Sequence, residues 1–311
     1  MENKTDLSII IPLYNEQDSL RELAERIYDT LKDSELKYEI FFIDDGSSDN
    51  SLTILKEIYQ KYSGIKILSF RRNYGKSAAL SEGFKLASGD IIVTMDADLQ
   101  DDPAEIPNLL QRLNEGFDLI SGWKKKRHDP LGKTIPSKLF NFTTAKLTGI
   151  KIHDFNCGLK AYRREVIKEI PIYGSLHRYL PVLAHWKGFN VSELIVQHHP
   201  RVHGVTKYGW RRFFDGFFDL FTVLFLTRYR QKPMHLFGFL GLVFLFLGSL
   251  ISLYLTILWL QGYGIGNRPL FFLGILLIIV GMQSFSIGLI GEMITNLKDE
   301  EGSYSIREKI T

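Results

Sequence analysis

The chain has 311 residues, 45% of them hydrophobic, a net charge of +3 and a single cysteine, Cys157. This length allows one sizeable domain with a smaller element, and the weak charge argues against nucleic acid as the main partner. One cysteine excludes an intrachain disulfide and a cysteine-rich zinc site. The first apolar run, residues 7–13, is too short for a signal peptide and follows acidic residues instead of basic ones.

Short apolar runs alternate with helical patterns over the first 125 residues. The runs predicted to be strands are residues 7–12, 38–44, 65–70, 90–96 and 118–122. The segments predicted to be helices are residues 18–32, 50–62, 76–87 and 103–114. This alternation predicts an α/β domain with a mainly parallel, Rossmann-like sheet and helices on both faces.

Polar loops follow the first four predicted strands. They comprise residues 12–16, 44–49, 71–76 and the cluster that begins at Asp96. Ligands of such sheets bind beyond the carboxyl ends of the strands. These residue types also occur in turns without any function. Four polar loops at one edge nevertheless favour a nucleotide site, and the absence of Gly-x-Gly-x-x-Gly or Walker motifs disfavours a dinucleotide or ATP fold.

The fourth loop carries two aspartates, Asp96 and Asp98, and then Gln100. An extended strand end would place these alternate side chains on one side of the backbone. Like charges at this spacing are costly unless a cation lies between them. A divalent cation that prefers oxygen ligands and holds phosphates meets that need. The spacing therefore predicts a metal that grips a diphosphate.

Helix capping is the alternative explanation for this acidic run. Asp102 is placed as an N-cap, with Pro103 and Glu105 in the first turn of the next helix. Capping accounts for Asp102 and leaves Asp96 and Asp98 without a role.

Two uncharged segments, residues 236–260 and 270–291, lie near the C-terminus. Either is long enough as a helix to cross a hydrocarbon core of about 30 Å. A buried hairpin of a soluble protein is disfavoured, because such helices are rarely uncharged on every face. Basic residues are concentrated on the outer flanks, which predicts a cytoplasmic N-terminal domain and cytoplasmic termini. These flanking residues are Arg228, Arg230, Lys232, Lys298, Arg307 and Lys309, against Arg268 alone in the linker.

Residues 211–232 are rich in phenylalanine but interrupted by acids, so they are too polar to span a membrane. We predict an amphipathic helix at the membrane interface, an interpretation compatible with packing against the soluble domain. The predicted organisation is a catalytic domain at 1–210, the interface helix at 211–232, a transmembrane hairpin at 233–295 and a tail at 296–311.

Six motifs together resemble those of one protein family. They are Ile11-Pro-Leu-Tyr-Asn-Glu16, Ile43-Asp-Asp-Gly-Ser-Ser-Asp49, Arg72-Asn-Tyr-Gly-Lys76, Asp96-Ala-Asp-Leu-Gln-Asp101, Asp154-Phe-Asn-Cys-Gly158 and Lys207-Tyr-Gly209. In this order they resemble glycosyltransferase family 2 enzymes with a GT-A fold, specifically the polyprenyl-phosphate glycosyltransferases. The first two motifs indicate only the broad family. Asp-x-Asp-x-Gln together with two C-terminal spans is more specific.

The resemblance implies a donor site and a metal site. Pro12, Tyr14, Glu16, Asp45, Lys76 and Asp96 would bind the nucleotide-sugar, and Asp44 would either contribute or fix the turn. Asp96, Asp98 and Gln100 would bind Mg²⁺ or Mn²⁺ and, through it, the diphosphate. That metal would neutralise the leaving group, and Asp98 and Asp154 would be the catalytic residues. Asp154 would act as a base or orient the acceptor, and a capping role is its alternative.

A lipid monophosphate would be the acceptor. Its oxygen is largely ionised at neutral pH, so positioning matters more than a strong base. Five residues are candidates for binding its phosphate: Lys124, Ser137, Arg178, Arg201 and Lys207. A solvated or headgroup-facing charge run is the alternative for most of residues 124–127.

The implied reaction moves one sugar from a nucleotide-sugar to a polyprenyl phosphate, with inversion, at the plasma (inner) membrane. UDP-glucose is favoured because the two-span layout resembles bacterial glucosyl-carrier enzymes, and a GDP-mannose-dependent dolichyl-phosphate mannosyltransferase is an alternative. A processive polysaccharide synthase would carry Gln-x-x-Arg-Trp and more spans, and a non-catalytic scaffold would not need the aspartate cluster. The oligomeric state, including a homo-oligomer, stays open.

Overall fold

The computed structural model describes residues 5–125, 131–170, 176–200, 222, 225, 229, 232–265 and 269–298. It divides into two compact units, Met1–Val223 and Leu224–Thr311, which we call the sheet unit and the hairpin unit. Arg201, Lys207 and most of the predicted interface helix lie outside the described residues. The predicted domain boundaries at 210, 232 and 295 therefore stay predictions.

Seven strands and seven helices form the described part of the sheet unit. The strands are β1 Leu7–Leu13, β2 Tyr38–Asp44, β3 Ile65–Ser69, β4 Ile91–Thr94, β5 Leu119–Trp123, β6 Lys160–Arg163 and β7 Val191–Ile195. The helices are α1 Leu20–Leu31, α2 Ser51–Lys61, α3 Lys76–Leu86, α4 Ile106–Asn114, α5 Leu131–Thr148, α6 Arg164–Glu169 and α7 Leu180–Trp186. Two 3₁₀ turns, Pro103–Glu105 and Leu176–Tyr179, precede α4 and α7.

The strands form one sheet in the order β3-β2-β1-β4-β6-β5-β7. Neighbouring strands pair in parallel except around β6, which is antiparallel to both β4 and β5. The other six strands consequently end at the same edge of the sheet. This confirms the predicted α/β class and mainly parallel sheet. The sequence analysis missed β6, which follows the Asp154–Gly158 motif and separates β4 from β5.

Hydrophobic side chains cover both faces of the sheet, as the strand periodicity requires. Ile9 and Ile11 of β1 belong to a core with α1, α2 and α4, whereas Ile10 belongs to a core with α3, α6 and α7. All three isoleucines are fully buried. Burial of each such side chain contributes about 1.5–3 kcal/mol. The apolar layers thus stabilise the sheet and leave its carboxyl edge available for polar groups.

The fourth strand ends earlier than predicted. β4 stops at Thr94, so the expectation that Asp96 and Asp98 belong to an extended strand end is wrong. They lie in a bent loop in which Leu99 has a φ of 60°. The predicted helix cap is confirmed, since the Ala104 N–H donates to Asp102 Oδ1 at 3.0 Å.

The described part of the hairpin unit contains two long helices, α8 Pro233–Leu260 and α9 Pro269–Lys298, which include both predicted apolar segments. Each is about 40 Å long, enough to cross a bilayer. Large apolar side chains on both helices are exposed. Glycines lie where the two backbones come close together: a Cβ on Gly241 would lie 2.8 Å from the Gly281 carbonyl, and one on Gly248 2.9 Å from the Gly274 carbonyl.

Candidate active site

Hydrogen bonds join the first three polar loops at the carboxyl edge of the sheet. Asn15, after β1, donates its N–H to Ser47 Oγ at 2.9 Å and accepts from the Ser48 N–H at 2.8 Å. Asp45, after β2, accepts from the N–H groups of Tyr74 and Gly75 at 2.7 and 2.9 Å. The loops after β1, β2 and β3 therefore form one continuous polar surface.

The two adjacent aspartates after β2 have different surroundings. Asp44 accepts from the Ser47 N–H at 2.9 Å and from Ser69 Oγ at 2.7 Å, so it fixes the turn, one of its two predicted roles. Burial raises the pKa of Asp45, two backbone hydrogen bonds oppose that shift, and the Asp44 charge adds to it. Gly46 between these loops has a φ of +70°, and a Cβ there would lie 2.5 Å from the Arg72 carbonyl carbon.

Three other residues predicted to bind the donor lie along the same loops. Pro12 is buried within β1, in register with Ile43 of β2. Tyr14 and Glu16 follow β1 and are half-buried. The Glu16 backbone N–H donates to Ser51 Oγ at 3.1 Å, at the start of α2. Tyr14 and Glu16 thus border the polar surface, while Pro12 supports it from the sheet.

Asp96 is the centre of a charged cluster beyond β4. Its carboxylate forms an ion pair with Lys76, the first residue of α3, and both side chains are partly exposed. Burial would raise the pKa of Asp96, but the ammonium groups of Lys76, Lys124 and Lys160 lower it to about 2. Asp96 is therefore a carboxylate throughout the physiological pH range.

Lys124 and Lys160 lie on the inner side of this cluster. The Lys124 Nζ is 2.7 Å from Asp101 Oδ1, and the Asp101 side chain is fully buried. Burial lowers the pKa of Lys124, but Asp101 and Asp96 raise it above its usual range. Lys160 of β6 is 3% exposed and donates to the Cys157 carbonyl. Burial lowers its pKa, an effect that the Asp154 and Asp96 charges offset in part. Lys124 thus belongs to a buried ion pair and not to an exposed charge run.

Asp98 and Gln100 follow Asp96 on the same loop and are half-buried. Asp98 Oδ1 accepts from the Gln100 N–H at 3.3 Å, and the Gln100 carbonyl accepts from the His199 N–H at 3.0 Å. Within the described ranges, no three His, Cys, Asp or Glu side chains converge as a metal site. Two carboxylates and one amide suit a cation that takes its remaining ligands from water and a diphosphate. The residues therefore fit a metal that is bound together with the donor.

Asp154 lies at the start of the loop that leads into β6. Its side chain is 1% exposed, and its Oδ1 accepts from the Asn156 N–H at 3.1 Å. Its backbone carbonyl accepts from Ser121 Oγ of β5 at 3.2 Å. Nearby, burial raises the pKa of Cys157 to about 12, which makes this thiol a packing group. Asp154 is thus close to the charged cluster and fixed by its own loop.

A second connection joins α3 to the 3₁₀ turn before α7. The His177 ring nitrogen Nδ1 lies 2.7 Å from the Oγ of Ser77, the residue that follows Lys76 in the sequence. Burial, then the charges of Lys76, Arg178 and Lys160, keep the pKa of His177 well below its usual range, so the imidazole is neutral. Arg178, a predicted phosphate-binding residue, therefore lies on the Lys76 side of the site. Ser137, another such residue, is half-buried in α5.

Sequence reasoning missed three residues of this arrangement: Asp101, Ser77 and Lys160. Asp101 ends one of the six motifs and Ser77 directly follows another, but neither was given a role. Lys160 lies two residues after the Asp154–Gly158 motif, and a single lysine between apolar residues there was the available signal. Their contacts join residues far apart in the chain, which residue spacing does not reveal.

The sequence is similar to that of known glycosyltransferases. Residues 8–171 match the model of a family described as Glycosyl transferase family 2. A dodecaprenyl-phosphate galacturonate synthase from Rhizobium johnstonii is 36% identical over 97% of this chain and 92% of its own length. An undecaprenyl-phosphate 4-deoxy-4-formamido-L-arabinose transferase from Pseudomonas fluorescens is 34% identical over 93% of this chain and 84% of its own length.

Solved structures share the fold of the sheet unit at lower identity. Glucosyl-3-phosphoglycerate synthase from Mycobacterium tuberculosis, in complex with Mn²⁺, UDP and glucosyl-3-phosphoglycerate, superposes with a TM-score of 0.55. The match covers 71% of this chain and 79% of that one, at 17% identity. At this identity the likeness concerns the fold.

Proposed function

The chain belongs to glycosyl transferase family 2, and from this membership we propose that it transfers one sugar from a UDP-sugar to a polyprenyl phosphate. The proposal for the acceptor draws on the relatives named for dodecaprenyl and undecaprenyl phosphate. The first of these matches spans 97% of this chain, so it includes the hairpin unit as well as the sheet unit.

The observation that carries the proposal is the position of Asp96. Its carboxylate is partly exposed beyond β4, on the same loop as the half-buried Asp98 and Gln100, and it pairs with Lys76 at the end of the third polar loop. Carboxylates in such a position are suited to a cation, and cations are suited to a diphosphate. Asp96, Asp98 and Gln100 would hold Mg²⁺ or Mn²⁺, which would supply charge neutralisation on the leaving UDP.

The chemistry needs little proton transfer. A lipid phosphate oxygen forms the new bond to the anomeric carbon while the bond from that carbon to the UDP oxygen breaks, with inversion. Because the attacking phosphate is already largely ionised, the protein mainly has to bind and orient it. Lys76 would bind phosphate oxygens of the donor and Arg178 those of the lipid phosphate, whereas Asp154 would orient the acceptor. Lys124, Ser137, Arg201 and Lys207 stay proposed as further phosphate contacts.

The sugar is a separate part of the proposal. The relatives are named for galacturonate and formamido-arabinose, while the sequence favoured glucose. We therefore propose a UDP-linked sugar of this group, with UDP-glucose and UDP-galacturonate as the first donors to test.

Purified full-length protein should be incubated with each donor, Mg²⁺ or Mn²⁺ and undecaprenyl phosphate in detergent. UDP release should require both the correct donor and the lipid phosphate, and a sugar-linked lipid should form in equal amount. Release that is indifferent to the lipid, or no release with any UDP-sugar, would refute the proposed reaction.

The membrane arrangement is also proposed. Both long helices are apolar enough to cross a bilayer, and the basic flanks favour a cytoplasmic sheet unit. After removal of Cys157, a cysteine at Tyr263 should react with an impermeant thiol reagent outside intact cells. A cysteine at Ser303 should react only after the membrane is opened, and the reverse pattern would invert the proposed topology.

A further inference from the structure

One glycine lies directly against the central carboxylate of the site. A Cβ on Gly158 would lie 2.5 Å from Asp96 Cγ and 2.6 and 2.7 Å from its two carboxylate oxygens. Real Cβ atoms essentially never approach other heavy atoms within 3.0 Å. The space that a side chain would occupy at residue 158 is therefore occupied by the Asp96 carboxylate.

Backbone conformation does not explain this glycine. Several glycines of the sheet unit have positive φ angles, including Gly46, Gly75 and Gly149, but Gly158 is not one of them. An alanine could adopt the backbone conformation of residue 158, so the restriction comes from the neighbouring carboxylate.

The loop around Gly158 is held in place on two sides. Thr94, the buried last residue of β4, donates its Oγ1 hydrogen to the Gly158 carbonyl at 2.9 Å. On the β5 side, the Gly122 N–H donates to the Leu159 carbonyl at 2.9 Å. A Cβ on Gly122 would lie 2.8 Å from Cys157 Sγ, so the same loop is tightly packed there as well. A side chain at residue 158 would consequently move Asp96 more readily than the loop.

We propose that Gly158 is a positioning residue: its missing side chain leaves the volume in which the Asp96 carboxylate is aimed at the metal-bound diphosphate of the donor. The inference rests on the proposed function, because it assumes that Asp96 binds the metal. It assigns a role to the last residue of the Asp154–Gly158 motif, and Thr94 supports that role by holding the Gly158 carbonyl.

The test uses the full-length protein and measures Mn²⁺ binding in the presence of UDP by electron paramagnetic resonance. Gly158→Ala should weaken Mn²⁺ binding by about tenfold or more, as supporting residues of metal sites commonly do. Binding of UDP without metal should change much less. A folded Gly158→Ala protein with wild-type Mn²⁺ affinity would overturn the inference.

Gly83→Ala is the matched control. A Cβ on Gly83 would lie 2.5 Å from Ile10 Cγ2, in the core between α3 and β1 and apart from Asp96. This variant should lose thermal stability and keep the wild-type Mn²⁺ affinity. An equal loss of affinity in Gly83→Ala would mean that general destabilisation explains the effect, and the inference would fail.

Two further variants keep the inference testable if Gly158→Ala does not fold. Thr94→Ala removes the hydrogen bond to the Gly158 carbonyl and should weaken Mn²⁺ binding, whereas Thr94→Ser retains the hydroxyl and should restore it. Wild-type affinity in Thr94→Ala would contradict the inference. Asp96→Asn separates the two proposals: unchanged Mn²⁺ affinity in that variant would refute the metal role itself, whereas a loss there without one in Gly158→Ala would refute only the role of Gly158.

Discussion

The sheet unit and the hairpin unit both depend on glycines, but for different kinds of contact. In the sheet unit, Gly158 gives room to a charged carboxylate at the edge of the sheet. In the hairpin unit, Gly241 and Gly248 allow two apolar helices to approach each other's backbone. Hydrophobic burial stabilises the sheet unit in water, whereas lipid removes that driving force between helices and leaves close packing to hold them.

Charge is distributed just as unequally. Three lysines surround Asp96 and set its ionisation, and a buried pair, Lys124 with Asp101, supports them. Of the described hairpin residues, Glu292 is the only acid, and it accepts a hydrogen bond from the Met234 N–H at 3.3 Å near the start of α8. This contrast supports the proposal that the chemistry belongs to the sheet unit and the attachment to lipid to the hairpin unit.

The largest expected effect comes from Asp98→Asn. The variant should fold normally, because the asparagine oxygen can still accept from the Gln100 N–H. Sugar transfer at millimolar Mg²⁺ or Mn²⁺ should fall by at least about a hundredfold, the loss typical of removing a key electrostatic group. Asp33→Asn, an exposed aspartate after α1, is the control and should keep full activity. Full activity of Asp98→Asn, or of the wild type in excess chelator, would be incompatible with a metal at this loop.

A smaller effect is expected in the hairpin. A Cβ at Gly241 would lie 2.8 Å from both the Gly281 carbonyl oxygen and the Phe285 backbone nitrogen. These backbone atoms cannot move away by a change of side-chain rotamer. Gly241→Ala should therefore lower the midpoint of helical unfolding in detergent by about 5 °C, the consequence of a loss of about 2 kcal/mol. Gly264→Ala, where a Cβ meets open space, should change the midpoint little. Identical unfolding midpoints for Gly241→Ala and the wild type would argue against close packing of α8 and α9 at Gly241.

The smallest expected effect concerns pH. The folded-state pKa of His177 lies well below the unfolded value of about 6.5, so only the unfolded chain takes up this proton on mild acidification. Stability should therefore decrease as the pH falls below about 6.5. Between about pH 7 and pH 5.5 the wild type should therefore lose more stability than His177→Asn, measured as a larger fall of the midpoint in a thermal melt. Parallel pH profiles of the two proteins would contradict a buried neutral imidazole.

Much of the sheet unit could be predicted from the sequence because its periodicity is strong. β1 to β5 and α1 to α4 appear within a few residues of their predicted bounds, and the loop residues Asp45 and Asp96 lie at the predicted edge. β6 was not predicted because its four residues of mixed polarity, Lys160–Arg163, carry little periodic signal. It becomes a strand only because β4 and β5 flank it.

The inner part of the site could not be predicted for a similar reason. Lys124 begins a run of basic residues that resembles a solvated surface, yet it pairs with Asp101 inside the protein. In the sequence Gly158 resembles an ordinary loop glycine, and only the structure shows that the Asp96 carboxylate lies against it. Sequence motifs identify which residue types are present, and only the three-dimensional contacts show which charges neutralise one another.

If the sheet unit binds the donor and the hairpin unit anchors the protein to the membrane, loss of the hairpin helices should affect donor binding and transfer to the lipid differently. A protein truncated after Arg230 keeps the sheet unit and the proposed donor site but loses both helices of the hairpin unit. Long polyprenyl phosphates partition into membranes, so anchoring raises the effective concentration of acceptor around the site. A short, water-soluble prenyl phosphate reaches the site from solution, so its transfer should not depend on membrane anchoring.

The most direct test compares the intact and truncated proteins by calorimetry with UDP and Mn²⁺, and by transfer to both acceptors. We expect near-native UDP binding by the truncated protein, a severe loss of transfer to undecaprenyl phosphate in vesicles, and a much smaller loss with the short acceptor. Equal losses on both acceptors, with intact UDP binding, would mean that the hairpin unit takes part in catalysis and would contradict the account.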